Sequence, residues 1–374
     1  MTYTYSGVDL KSRFMSKGMF KTDGNMYGFG LNNNGRLGLN DLISRSSPVQ
    51  VGSSVNWSQV SAGKQHTLVI KTDGTLWSAG YNFNGQLGLS NSTDKSSFVQ
   101  VGTLSNWLIV SCGDLFTTAI KTDGTLWTWG ADNFGQLGLN TKYYERSSPT
   151  QVGTLTNWSR VAAGQNHTLT VKTDGTLWSW GLNTCGQLGT SDLTDRYSPV
   201  QIGNLSNWSK IASGYSHSAA IKTDGTLWTW GSNEKGQLGL SNTTDRYSPV
   251  QVGNLSNWSK IACGSKNTYA IKTDGTLWSC GYNPYGQLGL SNTTDRSSPV
   301  QIGTLSNWSK VACGSNHLLV IKTDGTLWAC GWGTYGQLGN DSTAHKSSLI
   351  QVGSSTKWIQ AAGGQVHTMA IQIV

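Results

Sequence analysis

The amino-acid sequence predicts an all-β protein, a seven-bladed β-propeller built from four-stranded antiparallel blades. The first observation is a phrase, KTDGTLW or a close variant, that recurs at intervals of 50 or 51 residues. Its copies start at Lys21, Lys71, Lys121, Lys172, Lys222, Lys272 and Lys322. Fixed self-similarity of this size is typical of stacked repeats. The second observation is that no part of the repeat shows the 3.6-residue period of an amphipathic helix.

The first half of each repeat predicts two strands and a tight turn. In the unit that starts at Trp208, the segment WSKIASG has apolar residues in near alternation and predicts strand A. The segment HSAAIK, which is rich in small and β-branched residues, predicts strand B. The TDG segment then turns the chain, because Asp favours turns and Gly225 can adopt a positive φ.

The second half of the repeat predicts two more strands joined by a long loop. TLWTWG is strand C, and SNEKGQLGLSNTTDRY is a loop rich in Asn, Gly, Ser and Thr. SPVQVG is strand D, with Pro249 expected at the strand start, where a missing amide is tolerated. Since the strands are antiparallel, the A–B turns and C–D loops should lie at one end of the blades. The TDG turns and D–A links should lie at the other end.

The ends of the chain are out of phase with the blades, which predicts how the ring closes. The chain begins near strand B or C of one unit and finishes with strands A and B of another. We therefore expect Trp358 to Val374 to pair with the strands around Met26 to Gly30, so that both termini share one blade. Residues 16–20 and 367–371 both align with strand B, and the N-terminal copy is expected to be displaced. Residues 1–374 are expected to form a single domain.

Composition and charge narrow the classes of partner. Charged residues make up only 12% of the chain, and the formal net charge is +8. The basic residues are spread one or two per repeat without a basic run, so nucleic acid is an unlikely partner. The N-terminus MTYTYSGVDLKSRF lacks the apolar region of a secretory signal, and no apolar stretch is long enough to span a membrane. These features predict a soluble protein, either cytoplasmic or virion-associated.

The repeat resembles that of a known family. The segment GQNHTLTVKTDGTLWSWGLNTCGQLG, residues 164–189, resembles the RCC1 repeat, named for the regulator of chromosome condensation, and the resemblance covers nearly the whole chain. It implies a seven-bladed propeller that serves as an interaction platform, and the uniform units look like bacterial or phage members. The eukaryotic namesake looks like a nucleotide-exchange factor for a small GTPase, aided by a basic N-terminal tail and an inserted wedge. This chain has no Lys or Arg in its first ten residues and no long insertion.

Two columns of repeated residues could suggest chemistry. The first contains His66, His167, His217, His317 and His367, and it is broken by Phe116 and Asn267. Equivalent positions in separate blades lie too far apart to share a metal ion, so a hydrogen-bonded structural role is expected. The second is the Asp of each TDG turn, which should accept local backbone hydrogen bonds. Catalysis needs unlike groups brought together, so we expect a protein that is not an enzyme and has no cofactor or metal.

The seven copies differ from one another mainly at one end. The TDG turns and D–A links are nearly identical, whereas the A–B turns and C–D loops vary. The variable loops contain the candidate partner-binding residues Phe83, Phe134, Lys142, Tyr143, Tyr144, Tyr285 and Tyr335. Aromatic residues in exposed loops are typical of recognition surfaces, although loops also drift without function.

These observations predict a non-enzymatic propeller that binds a protein or acts as a structural scaffold. One alternative is a virion or cell-surface component that attaches to a shell protein or a host glycan. Another is a guanine-nucleotide exchange factor for a small GTPase.

Overall fold

The ring of blades is the defining feature of the molecule. A computed structural model describes residues 23–374, which form 28 strands, numbered β1–β28 in chain order, in seven four-stranded antiparallel sheets. Blades 1 to 6 each use four consecutive strands, starting with β3–β6, and blade 7 contains β27, β28, β1 and β2. The predicted fold class is confirmed. Residues 23–374 contain no helix that is long and apolar enough to cross a membrane.

The A strands are innermost, since those of adjacent blades contact each other around a central channel. They are β3 (Trp57–Ala62), β7 (Trp107–Cys112), β11 (Trp158–Ala163), β15 (Trp208–Ser213), β19 (Trp258–Cys263), β23 (Trp308–Cys313) and β27 (Trp358–Gly363). The B strands pair with them and are β4 (His66–Lys71), β8 (Phe116–Lys121), β12 (His167–Lys172), β16 (His217–Lys222), β20 (Asn267–Lys272), β24 (His317–Lys322) and β28 (His367–Ile373).

The C and D strands complete each blade outward. The C strands are β1 (Gly24–Gly30), β5 (Leu76–Gly80), β9 (Leu126–Gly130), β13 (Leu177–Gly181), β17 (Leu227–Gly231), β21 (Leu277–Gly281) and β25 (Leu327–Gly331). The D strands are β2 (Arg45–Gln50), β6 (Lys95–Gln100), β10 (Arg146–Gln151), β14 (Arg196–Gln201), β18 (Arg246–Gln251), β22 (Arg296–Gln301) and β26 (Lys346–Gln351).

Strand D departs from the prediction at its start. It begins at Arg246 in blade 4, so Pro249 is the fourth residue of the strand and not its first. The register between strands C and D is irregular between the pairs Thr229 with Val250 and Gly231 with Arg246. Strand D is an edge strand, and edges and irregular pairings are the places where a sheet tolerates proline.

The two ends of the described chain close the ring as predicted. Strand β28 pairs antiparallel with β1, from Gly24 opposite Ile373 to Gly30 opposite His367. The C-terminal segment therefore provides strands A and B of blade 7, and the N-terminal segment provides strands C and D. The competing strand B copy at residues 16–20 lies outside the described residues.

The hydrophobic core lies between blades. In one cluster, Leu169 and Leu177 of blade 3 are buried together with Trp208 and Trp230 of blade 4. The rings of Trp208 and Trp230 meet at 6.3 Å with an interplanar angle of 63°, an edge-to-face arrangement. Such pairs contribute about 0.5–1.5 kcal/mol beyond the burial of their area. Each blade therefore depends on its neighbours for stability.

The histidine column joins neighbouring blades by hydrogen bonds. Nε2 of His217 lies 3.1 Å from Oγ1 of Thr268 in the next blade, and the Thr268 hydroxyl donates to the carbonyl oxygen of Gln237 at 2.7 Å. Because that hydroxyl proton is already used, the imidazole donates its Nε2–H. Burial lowers the pKa of His217 to about 4, so the ring is neutral. The column is therefore hydrogen-bonded between blades in the way the sequence analysis expected. Within residues 23–374, no group of three or more His, Cys, Asp or Glu residues is arranged to hold a metal ion.

In six of the seven TDG turns, those of Asp73 to Asp324, the Asp bonds within its own turn. Oδ1 of Asp224 accepts hydrogen bonds from the amide of Thr226 at 2.9 Å and from its hydroxyl at 2.7 Å. These bonds hold the pKa of Asp224 below its usual range. Gly225 has a φ of 80°, the positive value expected for this turn. The repeated phrase thus builds the hairpins of the propeller.

Candidate functional site

The propeller has two different ends. In blade 4, the amide of Ser232 at the start of the C–D loop donates to the carbonyl of Ser216 in the A–B turn at 2.8 Å, so these segments share one end. At the opposite end, the amide of Trp258 donates to the carbonyl of Gly225 in the TDG turn at 3.0 Å. We call the first end the loop face and the second the hairpin face. The predicted placement of the variable loops on one face is confirmed.

An asparagine orders each typical C–D loop from within. In blade 5, Oδ1 of Asn283 accepts the amide of Leu288 at 2.9 Å, and its Nδ2 donates to the carbonyls of Asn292 and Thr294 at 3.0 and 3.1 Å. The amide of Asn283 donates to Oδ1 of Asp295 at 2.7 Å. The variable residues at the loop tip are therefore held on a rigid support, which is how recognition loops keep their geometry.

Blade 6 replaces both members of this support. Gly333 stands at the asparagine position, and His345 stands at the aspartate position, where its Nδ1 accepts the amide of Gly333 at 3.2 Å. The neighbouring Trp332 donates its Nε1–H to the hydroxyl of Thr334 at 2.7 Å. This blade thus departs from the pattern at two ordering positions, the buried Gly333 and the exposed His345, as well as at the loop tip.

Aromatic side chains gather where this departure occurs. The aromatic cluster of blades 5 and 6 consists of Tyr282, Tyr285, Trp332, Tyr335 and His345. Tyr285 stacks on Trp332 with centroids 5.6 Å apart and an interplanar angle of 21°. Trp332 meets Tyr335 edge-on at 5.6 Å, and Tyr285 meets His345 edge-on at 5.2 Å. Tyr282 lies 6.5 Å from Tyr285, so the rings form one continuous group.

Charged residues border the cluster on the side of blade 4. The ammonium group of Lys235 lies 5.5 Å from the centroid of the Tyr282 ring, a cation–π distance. Lys266 forms an ion pair with Glu234 beside it. Apolar rings with a charged border are the usual composition of a protein-binding surface.

A second group of predicted residues lies at blades 2 and 3. The side chains of Tyr143 and Tyr144 are 71% and 64% exposed. Nζ of Lys142 lies 5.0 Å from the Tyr143 ring and 5.4 Å from the ring of Tyr197. Tyr143 has a φ of 63°, and its amide donates to the carbonyl of Asp132 at 2.9 Å. The one-residue insertion is thereby held in a defined turn.

The remaining predicted residues stand apart from these two groups. Phe83 is 66% exposed and stacks on Tyr81 with centroids 6.4 Å apart. Phe134 is half-buried, and its amide donates to Oε1 of Gln136 at 2.8 Å. Among the described residues, no aromatic contact joins Phe83 or Phe134 to either group. The seven predicted residues are thus distributed over several places on the loop face.

Sequence reasoning missed several members of the aromatic cluster, chiefly Trp332, His345 and Tyr282. Within the typical C–D loop, the residues that it compared stand just before the loop glycine, whereas these three residues stand earlier or later in the loop. One signal that points to Trp332 and His345 is the replacement of the asparagine and aspartate of the C–D loop in blade 6, at Gly333 and His345. Blade 2, which carries the predicted residues 142–144, also departs from the asparagine column, at Asp132.

Comparison with protein families agrees with the repeat pattern. A model described as the RCC1-like domain matches residues 159–372. A model of the regulator of chromosome condensation (RCC1) repeat matches residues 23–70, 73–120 and 123–171. The chain belongs to the RCC1-like family. The resemblance inferred from the repeat is confirmed.

Solved structures share the fold of this RCC1-like propeller at low sequence identity. Prp20p of Saccharomyces cerevisiae is 20% identical with a TM-score of 0.85, over 94% of this chain and 92% of that one. Human WBSCR16 is 22% identical with a TM-score of 0.84, over 93% of this chain and 98% of that one. Yeast RCC1 (Prp20) bound to Kap60 is 19% identical with a TM-score of 0.86, over 100% of this chain and 94% of that one. No curated protein sequence matches the RCC1-like chain significantly.

Proposed function

We propose that this RCC1-like propeller is a non-enzymatic module that binds a protein partner through its loop face. The observation that carries the proposal is the continuous aromatic cluster of blades 5 and 6, beside the C–D loop in which Gly333 and His345 replace the ordering asparagine and aspartate. Trp and Tyr dominate the binding energy of protein interfaces when they are presented on a rigid support. The cluster is centred on Tyr285 and Trp332, and it would form the middle of the contact.

The other exposed aromatic residues extend the same surface. Tyr143, Tyr144 and Lys142 provide a second contact point on the loop face, and Phe83 provides a third. A partner that spans two of these points gains from their combined effect. The printed titles of similar structures describe the binding properties of Prp20p to Gsp1p and histones, and Kap60 bound to yeast RCC1. They support protein binding as a use of this fold, and they leave the partner of this chain open.

The experiment that tests the proposal uses substitutions taken from sibling blades. A triple variant, Tyr285→Asn, Trp332→Ser and Tyr335→Asn, removes the central rings. Asn84 and Ser232 occupy the corresponding positions in blades 1 and 4, so the changes are compatible with the fold. The wild-type propeller and the variant are used for affinity capture from the native source, and the affinity of the recovered partner is then measured.

We expect the triple variant to bind the captured partner about 30-fold or more weakly, the effect of losing one interface hot spot. The matched control is Tyr247→Ser, which removes a 45% exposed tyrosine elsewhere on the ring, at a position where blade 5 carries Ser297. Equal affinity of the triple variant and the control would overturn the proposal. Displacement of the captured material by free sugars would favour a glycan ligand, and faster nucleotide release from a captured GTPase would favour an exchange factor.

A further inference from the structure

A row of cations lines the central channel near the hairpin face. The third residue of strand A contributes to this part of the channel in every blade, and the seven residues are Gln59, Ile109, Arg160, Lys210, Lys260, Lys310 and Gln360. Four consecutive blades, 3 to 6, therefore carry a positive charge at this position. All seven side chains border one cavity of about 440 Å³.

The described residues provide no negative charge for these cations. Nζ of Lys210, Lys260 and Lys310 each donates to a backbone carbonyl of the next blade. An ammonium group has three donors, so each retains donors for another acceptor. No carboxylate lines the cavity, and none of the ion pairs within residues 23–374 includes any of the four cations.

The backbone contacts do not by themselves require a charge. In blade 7, Nε2 of Gln360 donates to the carbonyl of Val60 at 3.2 Å, and in blade 1, Oε1 of Gln59 accepts the amide of Val110 at 2.9 Å. A neutral glutamine thus links neighbouring A strands at the same position. The four charges exceed what the joining of blades needs.

The environment of the cations favours a bound anion. Burial lowers the pKa of Lys210, and the neighbouring charges of Arg160 and Lys260 lower it further. Burial and the charge of Lys260 lower the pKa of Lys310 in the same way. Like charges that share a partly enclosed cavity without a counter-charge repel one another, and a bound anion removes that repulsion.

We propose that this cavity binds a small multivalent anion of the phosphate type. Lysine and arginine are the side chains that bind phosphate groups, lysine as a point charge and arginine as a planar fork. The cavity volume falls within the range of small-ligand pockets, about 300–1,000 Å³. Several negative charges on one compact molecule match four cations in one cavity. An acidic peptide matches the cavity less well, because carboxylates on the same side of an extended peptide lie about 7 Å apart.

The two ends of the channel differ in the way this proposal requires. At the loop face, Nζ of Lys64 lies 3.6 Å from Oδ2 of Asp114, so the charges there compensate each other. At the hairpin face the four cations are uncompensated. The anion site is therefore distinct from the aromatic cluster and does not depend on the proposed binding of a protein partner.

Calorimetric titration of the full chain with inorganic tripolyphosphate at low salt tests the proposal. We expect saturable binding at one site, with an affinity that falls as NaCl is added, because salt screens the attraction. The double variant Lys210→Gln/Lys260→Gln should bind about tenfold or more weakly, since each lost cation removes charge-assisted hydrogen bonds. Glutamine occurs at this position in blades 1 and 7, so the variant keeps a residue that the fold already uses.

The matched control is Lys95→Gln/Lys346→Gln, which removes the same charge from the first residues of two outer D strands. Its affinity should stay within about twofold of the wild type, because charges that far from the channel are screened. Thermal unfolding of each variant, and the single variant Lys260→Gln, separate lost binding from lost folding. Absence of saturable binding to the wild type, or equal weakening in both double variants, overturns the proposal. So does binding of a hexaglutamate peptide in preference to tripolyphosphate.

Discussion

Replacement of His217 by asparagine tests how neighbouring blades are joined, because blade 5 already carries Asn267 at this position. His217 is fully buried, and its Nε2–H donates to the hydroxyl of Thr268 in the next blade. Burial lowers its pKa from 6.5 to about 4. The folded chain therefore holds a neutral imidazole, and protonation opposes folding.

The size of the effect follows from this pKa difference. Well above pH 6.5 neither the folded nor the unfolded chain is protonated at His217, and its titration does not affect stability. As the pH falls from 6.5 towards about 4, only the unfolded chain gains a proton, so the free energy of unfolding declines. One pKa unit corresponds to about 1.4 kcal/mol, which means a loss of about 2 kcal/mol at pH 5 from this residue alone.

Urea unfolding, followed by tryptophan fluorescence at pH 7.5 and pH 5.0, measures the effect in the wild type and in His217→Asn. At pH 7.5 the variant should be less stable by about 1–2 kcal/mol, because the hydrogen bond to Thr268 is lost. At pH 5.0 the difference should vanish or reverse, because the variant lacks the titrating imidazole. A gap of the same size at both pH values would refute the description of His217 as a buried neutral group.

Three further substitutions test the hairpins, the loop support and the closing blade. Gly225→Ala should lower the free energy of unfolding by about 1–3 kcal/mol, because φ is 80° and a Cβ would lie 2.2 Å from the Ser256 carbonyl oxygen. The control Gly203→Ala should cost less, because Gly203 has a φ of 60° but open space around its Cβ position. Equal losses of stability in urea unfolding would contradict the steric explanation. Arg36→Gln should raise the free energy of unfolding by about 1 kcal/mol. Arg36 is only 1% exposed, its Nε has no hydrogen-bond partner, and burial lowers its pKa to about 10. A loss of stability would show that the charge is needed. Asn283→Ala should cost about 2–3 kcal/mol and speed hydrogen exchange in its C–D loop, and unchanged exchange would contradict its ordering role.

The sequence was sufficient for the architecture because the decisive signals are local and repeated. The TDG turn is built from contacts between residues two positions apart, such as Asp224 and Thr226, so its structure can be inferred from a few letters. The closure of the ring could be predicted because the chain begins and ends at different strands of the repeat. The predicted start of strand D was wrong. Strand D is an edge strand, and an edge strand can contain a proline such as Pro249 within its length.

The candidate sites were only partly predictable because they join residues from different blades. Tyr285 of blade 5 meets Trp332 of blade 6, and this contact depends on how two loops lie side by side. The basic residues looked scattered along the chain, yet Lys210, Lys260 and Lys310 border one cavity because strand A is innermost in every blade. The spacing along the repeat predicts the position of each residue within its blade. Which residues of different blades lie close together depends on how the blades are arranged in the ring.

Hydrogen exchange of the propeller with and without its captured partner tests the central claim most directly. The claim is that the protein partner binds at the aromatic cluster of blades 5 and 6 and does not contact the TDG turns of the hairpin face. Slower exchange on binding in the C–D loops at residues 282–295 and 332–345, with unchanged exchange in the TDG turns, is the predicted result. Protection confined to the TDG turns and D–A links would contradict it.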